Sequence, residues 1–231
     1  MKKYLVIGNP INHSLSPKLH NYWIKINNIN AIYEKRKLNE DEIKDLIIQI
    51  REKEIYGANV TVPFKNKIIS HLDQLTPESK STQSVNTIYL NNNNVVGHNT
   101  DIYGFEMSIK KTNYNLEGKK ILILGSGGVV PSIIFALKKM KVSQITLSNR
   151  TREKAEKLKD LFEDLNIVNW GEVPNFDMVI NATSLGLKQD DRIGIDFSST
   201  GKDKFFYDVI YNFKETHFLK LGREMGNKTE N

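Results

Sequence analysis

The chain has 231 residues, of which 39 % are hydrophobic, and it contains no cysteine. It is therefore large enough for one or two folded cores, and disulfides, thiolate catalysis and cysteine-ligated metals are excluded. The formal net charge is +6, but lysines and arginines are dispersed among acidic residues, so we expect no nucleic-acid partner.

Short apolar runs and alternating elements characterise the chain from its start. The first apolar run stops at Gly8, and no later run approaches the roughly 18 residues of a membrane span, so we expect a cytoplasmic protein without a membrane partner. The alternation predicts an α/β fold. In the first half, strands are expected over residues 3–7, 31–37, 57–62, 85–90 and 95–99. Helices are expected where apolar residues recur at helical spacing over 19–26, and over 40–53 and 65–72.

The turn that begins the second half has the pattern strand, glycine turn, helix. The apolar strand over residues 121–124 leads into Gly125, Ser126, Gly127, Gly128 and Val129. Glycines allow the backbone to approach a pyrophosphate, and the free N–H groups of the following helix attract it. This pattern predicts a dinucleotide site, although a plain tight turn is the alternative.

The end of the next strand favours NADP(H) over NAD. Dehydrogenases that use NAD place an acidic residue here, whereas this chain has Asn149, Arg150 and Thr151, with Lys154 nearby. A guanidinium suits a 2′-phosphate. Asn181, Thr183 and Ser184 follow a further strand at the edge where ligands bind, so we expect them to contact the cofactor or to form a capped turn.

Several polar side chains of the first half point to a site for a small polyol acid. Ser16 is expected to cap a helix that has Pro17 in its first turn, which leaves Ser14 available to bind a carboxylate. Strand alternation places Asn59 and Thr61 on one face and turns Val60 and Val62 toward the core.

The hairpin in this half adds a geometric prediction. If Leu90 pairs with Val95, antiparallel arithmetic places Asn86 roughly opposite Asn99 and therefore close to Asp101. The alternatives are that Thr100 and Asp101 merely cap the next helix and that Lys65 is an ordinary solvated lysine.

Taken in order, these motifs resemble the shikimate dehydrogenase family over nearly the whole chain. The resemblance rests on Gly8-Asn9-Pro10, His13-Ser14-Leu15-Ser16-Pro17, His20-Asn21, Asn59-Val60-Thr61-Val62-Pro63-Phe64-Lys65, Val85-Asn86-Thr87, Gly97-His98-Asn99-Thr100-Asp101, Gly125-Ser126-Gly127-Gly128, Asn149-Arg150-Thr151, Asn181-Ala182-Thr183-Ser184 and Asp208-Val209-Ile210-Tyr211-Asn212. It implies NADPH-linked, metal-free reduction of 3-dehydroshikimate to shikimate, toward chorismate and the aromatic amino acids.

The resemblance also implies roles for individual residues. Lys65 and Asp101 form the catalytic pair, with Lys65 protonating the substrate oxygen during reduction. Substrate is held by Ser14 and Ser16 at its carboxylate, by Asn59, Thr61, Asn86 and Asp101 at its ring hydroxyls, and by Tyr211 near the nicotinamide.

These patterns predict two domains, which together form a monomer or a homodimer. An N-terminal α/β substrate domain with a mostly parallel sheet occupies residues 1–104, and a Rossmann-like NADP-binding domain occupies 105–213. Residues 214–231 are expected to form a C-terminal helix that returns toward the first domain.

Two departures from the family pattern are visible. Phe213 stands where the family usually has proline, and family members continue past residue 228 with a helix that carries a substrate-contacting glutamine. Should the protein end at Asn231, we expect weaker shikimate binding, a less stable first domain and a more open cleft. The alternatives are an NAD-dependent quinate/shikimate dehydrogenase and a catalytically weak NADP-binding paralogue.

Overall fold

A computed structural model describes residues 1–211 and 215–231 of the chain. The expected departure at Phe213 lies outside the described residues. Contacts along the chain divide it into a first unit, Met1–Ile102, and a second unit, Tyr103–Asn231. This division falls two residues before the expected end of the substrate domain at residue 104.

The first unit contains a six-stranded sheet with four helices. Its strands are β1 (Lys2–Gly8), β2 (Ala31–Lys37), β3 (Gly57–Val60), β4 (Gln74–Leu75), β5 (Thr87–Asn91) and β6 (Asn94–His98). Its helices are α1 (Ser16–Ile26), α2 (Ile43–Arg51), α3 (Phe64–Lys67) and α4 (Pro77–Thr82), with 3₁₀ turns at Glu40–Glu42 and Ile68–His71. The short elements β4 and α4 were not predicted from the sequence.

The strand order in this sheet is β2-β1-β3-β5-β6-β4. The β1, β2 and β3 strands are parallel, whereas β5 runs antiparallel to both β3 and β6. Leu90 pairs with Val95, as the hairpin arithmetic predicted. Asn92 and Asn93 form the tip with positive φ angles of 46° and 66°, which asparagine tolerates better than most residues.

Packing in the first unit follows the amphipathic pattern of α2 but not that of α1. Every apolar residue on one face of α2, beginning with Ile43 and Leu46, is buried in the core of the unit. Helix α1 buries no residue completely. The prediction that Val62 faces the core is wrong, because β3 ends at Val60 and Val62, which follows, is 58 % exposed.

The second unit contains a six-stranded sheet in which every strand pair is parallel. Its strands are β7 (Lys120–Leu124), β8 (Gln144–Ser148), β9 (Leu165–Val168), β10 (Met178–Asn181), β11 (Phe205–Asp208) and β12 (Lys228–Glu230), in the order β12-β11-β10-β7-β8-β9. The helices are α5 (Asp101–Lys111), which begins at the end of the first unit, α6 (Val130–Lys139), α7 (Arg152–Glu156) and α8 (His217–Glu224), with a 3₁₀ turn at Lys157–Asp160.

The C-terminal segment contains a helix and a strand where a single helix over residues 214–231 was expected. Helix α8 belongs to the second unit, where Phe218 and Leu219 are buried in its apolar core. Gly222 permits this packing, since an added Cβ atom would lie only 2.6 Å from Cγ of Phe206. After the helix, the described chain continues as β12 beside β11. The apolar residues of this segment therefore complete the second unit.

Candidate functional site

The carboxyl ends of β1 and β3 lie side by side in the first unit and bring two polar loops together. The two strands pair in parallel. Just after the end of β3, the backbone N–H of Thr61 donates to the carbonyl of Ile7 at 2.9 Å. The N–H of Asn9 then donates to the carbonyl of Val62 at 3.0 Å. Gly8 is required at this crossing, because an added Cβ atom would lie 2.6 Å from Cγ2 of Thr61.

Lys65 and Asp101 form an ion pair at this edge. The Nζ atom of Lys65 lies 2.6 Å from Oδ2 of Asp101, and the two side chains are only 14 % and 22 % exposed. The alternative that Asp101 serves as a helix cap does not hold. The Oδ1 atom of Asn99 instead accepts the N–H groups of Asp101 and Ile102 at the start of α5. This cap leaves the Asp101 carboxylate available to Lys65.

Asn86 holds the other oxygen of the Asp101 carboxylate. Its Nδ2 atom donates to Oδ1 of Asp101 at 2.8 Å, and its Oδ1 atom accepts the backbone N–H of Thr100 at 3.0 Å. The sequence arithmetic that brought Asn86 and Asp101 together is therefore confirmed. Both carboxylate oxygens of Asp101 have a donor, so the carboxylate is fixed in orientation before any ligand arrives.

Asn59 is held by a tyrosine that the sequence reasoning missed. The Tyr33 hydroxyl donates to Oδ1 of Asn59 at 2.6 Å, while Nδ2 of Asn59 donates to Oγ1 of Thr87 at 3.0 Å. Burial raises the pKa of Tyr33 above its ordinary value, so the hydroxyl remains protonated and able to donate. The His20 ring stacks on Tyr33 with centroids 4.1 Å apart.

Ser14 and Ser16 lie beside the first turn of α1, but their local roles differ from those expected. The cap position belongs to Leu15, and Oγ of Ser14 accepts the backbone N–H of Ser16 at 3.3 Å. Ser16 is thus not the cap, since it already lies in the helix. Both serines are half-buried, as is Thr61. Ser14 and Thr61 lie in the loops that follow β1 and β3, and Ser16 is the first residue of α1.

The glycine turn of the second unit has the conformation that a close backbone approach requires. Gly125 has a φ angle of +105°, and an added Cβ atom would lie 2.8 Å from the carbonyl oxygen of Ala182. Gly127 and Gly128 are exposed, and Ser126 and Val129 are half-buried. Helix α6 follows directly, so its first N–H groups lie at this turn.

Two cations beside this turn are available to an anion. Arg150 and Lys154 are exposed, and neither side chain has an ion-pair or hydrogen-bond partner among the described residues. Arg152, in contrast, is bound to Glu156 and Asn169. Within the same loop, Nδ2 of Asn149 donates to the carbonyl of Thr151 at 2.7 Å, which shapes the backbone that carries Arg150.

Asn181 is not placed to contact a cofactor directly, contrary to the prediction. It is 0 % exposed, and its side chain is used internally. Its Oδ1 atom accepts the N–H and hydroxyl of Thr183, while its Nδ2 atom donates to Leu185 and Asp208. Ser184 is exposed at this edge. The role of Asn181 is therefore to shape the loop that presents Ser184.

Tyr211 is the remaining predicted site residue. It follows β11 in the second unit, and its side chain is 79 % exposed.

Among residues 1–211 and 215–231, no helix is long and apolar enough to cross a bilayer. In the same ranges, no group of three or more histidine or acidic side chains is arranged to hold a metal ion.

Two family models match this chain. The model described as "Shikimate dehydrogenase substrate binding domain" matches residues 6–88, and the one described as "Shikimate / quinate 5-dehydrogenase" matches residues 106–188. The chain is also 58 % identical over 230 residues to the shikimate dehydrogenase (NADP(+)) of Pelagibacter ubique, an alignment that covers 100 % of this chain and 87 % of that protein.

Solved structures give the same similarity. The shikimate dehydrogenase of Aquifex aeolicus superimposes with a TM-score of 0.90 at 38 % identity, covering 99 % of this chain and 85 % of that one. The shikimate 5-dehydrogenase of Thermus thermophilus, solved with NADP(H) and shikimate, superimposes with a TM-score of 0.88 at 27 % identity. That match covers 100 % of this chain and 87 % of the other.

Proposed function

The chain belongs to the shikimate dehydrogenase family, and we propose that it catalyses the reversible NADPH-dependent reduction of 3-dehydroshikimate to shikimate. The observation that carries this proposal is the ion pair between Lys65 and Asp101, held by Asn86 in the unit that matches a substrate-binding domain. A solvated surface lysine would have no need of such a network.

Lys65 is the general acid of the proposed reaction. During reduction, negative charge develops on the oxygen at C3 of the substrate, and the Lys65 ammonium donates a proton to it. In the oxidative direction the neutral amine takes that proton back. Asp101 accepts a hydrogen bond from Lys65 at 2.6 Å and so keeps the donor in place. General acid–base catalysis of this kind contributes about 10²–10⁴-fold to a rate.

The substrate is held by polar groups from separate loops of the first unit. Ser14 and Ser16 bind its carboxylate beside the first turn of α1, where the helix dipole favours an anion. Its ring hydroxyls bind to Asn59, Thr61, Asn86 and Asp101. We assign Tyr211 of the second unit to the substrate as well. These assignments are supported by the convergence of the loops after β1 and β3.

The second unit is proposed to bind NADP(H), which supplies the hydride. The glycine turn from Gly125 to Val129 cradles the pyrophosphate with backbone N–H groups. Arg150 and Lys154 bind the 2′-phosphate, and Asn149, Thr151, Thr183 and Ser184 line the same edge. Two cations whose side chains have no partner in the described part of the chain suit a phosphate, whereas NAD offers only a hydroxyl there. Because the nicotinamide carries the hydride chemistry, no metal is assigned.

The cellular location and the oligomeric state of the enzyme are also proposed. We place the protein in the cytoplasm as a monomer or homodimer, with small molecules as its only assigned ligands. Cell fractionation tests the location, and size-exclusion chromatography with light scattering measures the oligomeric state.

A substrate and cofactor panel tests the proposed reaction. Purified protein is supplied with shikimate or quinate, each with NADP or NAD, and formation of the reduced nucleotide is followed by its absorbance. The expected result is the highest kcat/KM for shikimate with NADP. A preference for quinate with NAD would contradict the proposal, and bound NADP without turnover would identify a binding-only paralogue instead.

A further inference from the structure

A buried hydrogen-bond network joins the ends of β10 and β11 in the second unit. Asn181 and Asp208 are register partners in these two parallel strands, so they lie side by side where the strands end. Both residues are 0 % exposed. Burial raises the pKa of Asp208 above its ordinary value, because the charged form loses hydration.

Asp208 lies at the centre of this network. Its Oδ1 atom accepts hydrogen bonds from Nδ2 of Asn181 and from the backbone N–H of Ile210, each at 3.0 Å. Its Oδ2 atom accepts the hydroxyl of Thr216 at 2.7 Å. Thr216 is also the N-terminal cap of α8 and is itself buried. One carboxylate therefore ties together the end of β10, the chain after β11 and the first turn of α8.

Two of these ties lead to segments to which ligand contacts are assigned, and the third, through Thr216, holds the Asp208 carboxylate itself. Through Asn181, Asp208 fixes the loop that presents Ser184, because Asn181 also binds Thr183 and the carbonyl of Leu185. Through Ile210, it fixes the backbone immediately before Tyr211. A buried acid contributes little net stability compared with an apolar residue of similar volume. Its hydrogen bonds instead fix one arrangement of the three segments.

We propose that Asp208 is a positioning residue for NADP(H), acting through Asn181 and Thr216. This inference rests on the proposed placement of the cofactor at the carboxyl edge of the second sheet. It assigns a role to the first residue of the Asp208-Val209-Ile210-Tyr211-Asn212 motif, which the chemistry of the reaction leaves unexplained.

Two substitutions test the inference. Asp208→Asn keeps the volume but removes one acceptor oxygen. Thr216→Val keeps the shape but removes the hydroxyl, which is both the donor to Asp208 and the cap of α8. We expect each to raise the NADP dissociation constant about tenfold, as the loss of roughly one buried hydrogen bond implies. The shikimate dissociation constant should change less, since every residue assigned to shikimate except Tyr211 lies in the first unit. Titration calorimetry at temperatures below the unfolding transition of each variant measures both constants.

Three controls separate positioning from a general loss of structure. Thr146→Val removes the hydroxyl of another buried threonine in the same sheet and should leave NADP binding unchanged. Thr216→Ser keeps the donor and should restore most of the affinity lost in Thr216→Val. Arg150→Ala tests whether the cofactor binds at this edge, and it should lower the affinity for NADP.

The outcomes distinguish the inference from the proposed function. Unchanged NADP affinity in Asp208→Asn and Thr216→Val, together with weakened binding in Arg150→Ala, overturns the positioning role alone. Unchanged affinity in Arg150→Ala overturns the cofactor placement and the inference with it. Equal weakening of NADP and shikimate also contradicts the inference, because it indicates a general loss of native structure.

Discussion

The two units build their candidate sites by different means. In the first unit, side chains from separate segments of the chain bind one another before any ligand is present, as in the contacts of Asp101 with Lys65 and Asn86. In the second unit, the edge is formed by the backbone at Gly125 and by Arg150, whose side chain is exposed. Proton transfer requires fixed donors and acceptors, whereas a phosphate requires N–H groups and positive charge.

This comparison implies that substitutions in the two units affect different kinetic quantities. Changes at the first site should alter kcat or shikimate binding and leave NADP binding unchanged. Changes at the glycine turn or at Arg150 should alter NADP binding and leave shikimate binding unchanged.

The largest effect is expected at Lys65. Replacing it by alanine removes the proton donor, so kcat should fall by about 10²–10⁴-fold while the NADP dissociation constant stays the same. Steady-state kinetics and calorimetry measure these two quantities. Lys67→Ala is the matched control, since Lys67 lies on the same short helix but pairs with the exposed Glu40. A Lys65→Ala enzyme with nearly full kcat would refute the assignment.

A smaller effect is expected at the glycine turn. Gly125→Ala introduces a Cβ atom 2.8 Å from the carbonyl oxygen of Ala182 at a φ angle of +105°. The strain should destabilise the protein by about 1–3 kcal/mol, and it should weaken the binding of NADP more than the binding of shikimate. Chemical denaturation and calorimetry measure these two changes.

Gly118→Ala is the matched control for this strain. Gly118 also has a positive φ angle, +74°, but an added Cβ atom there meets nothing within 4 Å. Gly118→Ala should lower the stability of the protein without affecting the binding of NADP. Equal NADP affinities in the two variants would argue against a cofactor at this turn.

Arg150 should determine the choice between the two nucleotides. Arg150→Gln removes the charge opposite the 2′-phosphate, so the affinity for NADP should fall by about tenfold while the affinity for NAD is unaffected. The ratio of kcat/KM for the two nucleotides measures this preference. Arg152→Gln should have little effect on the ratio, because Arg152 is already paired with Glu156. A ratio that changes equally in both variants would assign the preference to net charge alone.

The smallest effect concerns pH and lies in the first unit. Burial lowers the pKa of His20 below its ordinary value of 6.5, so the folded state resists a proton that the unfolded chain accepts. His20 therefore costs the protein stability as pH falls from about 6.5 through the lowered pKa. His20→Phe keeps a ring against Tyr33 and should remove that part of the acid sensitivity. If the melting temperatures of the wild-type protein and His20→Phe fell in parallel with pH, the result would contradict this assignment.

The sequence predicted features that depend on local pattern and short-range arithmetic. The hairpin register followed from alternation around Asn92 and Asn93, and it correctly brought Asn86 to Asp101. The strand, glycine turn and helix around Gly125 were likewise predictable, because glycine alone adopts that φ angle readily.

Features that depend on strand order or on exact helix starts were not predictable. Tyr33 reaches Asn59 only because β2, β1 and β3 are adjacent in the sheet, an arrangement that neither segment encodes alone. Ser16 was expected to be a cap but lies one residue inside the helix. Asn181 carried a plausible ligand-binding signal, although its burial beside Asp208 uses all of its polar atoms.

The most direct test of the account follows the hydride itself. Shikimate labelled with deuterium at C3 is incubated with NADP and the purified protein, and the nucleotide is analysed by mass spectrometry. If the chain transfers hydride from C3 as proposed, the wild-type protein forms labelled NADPH and Lys65→Ala forms almost none. Unlabelled NADPH, or labelled NADPH formed equally well by both proteins, would contradict the account.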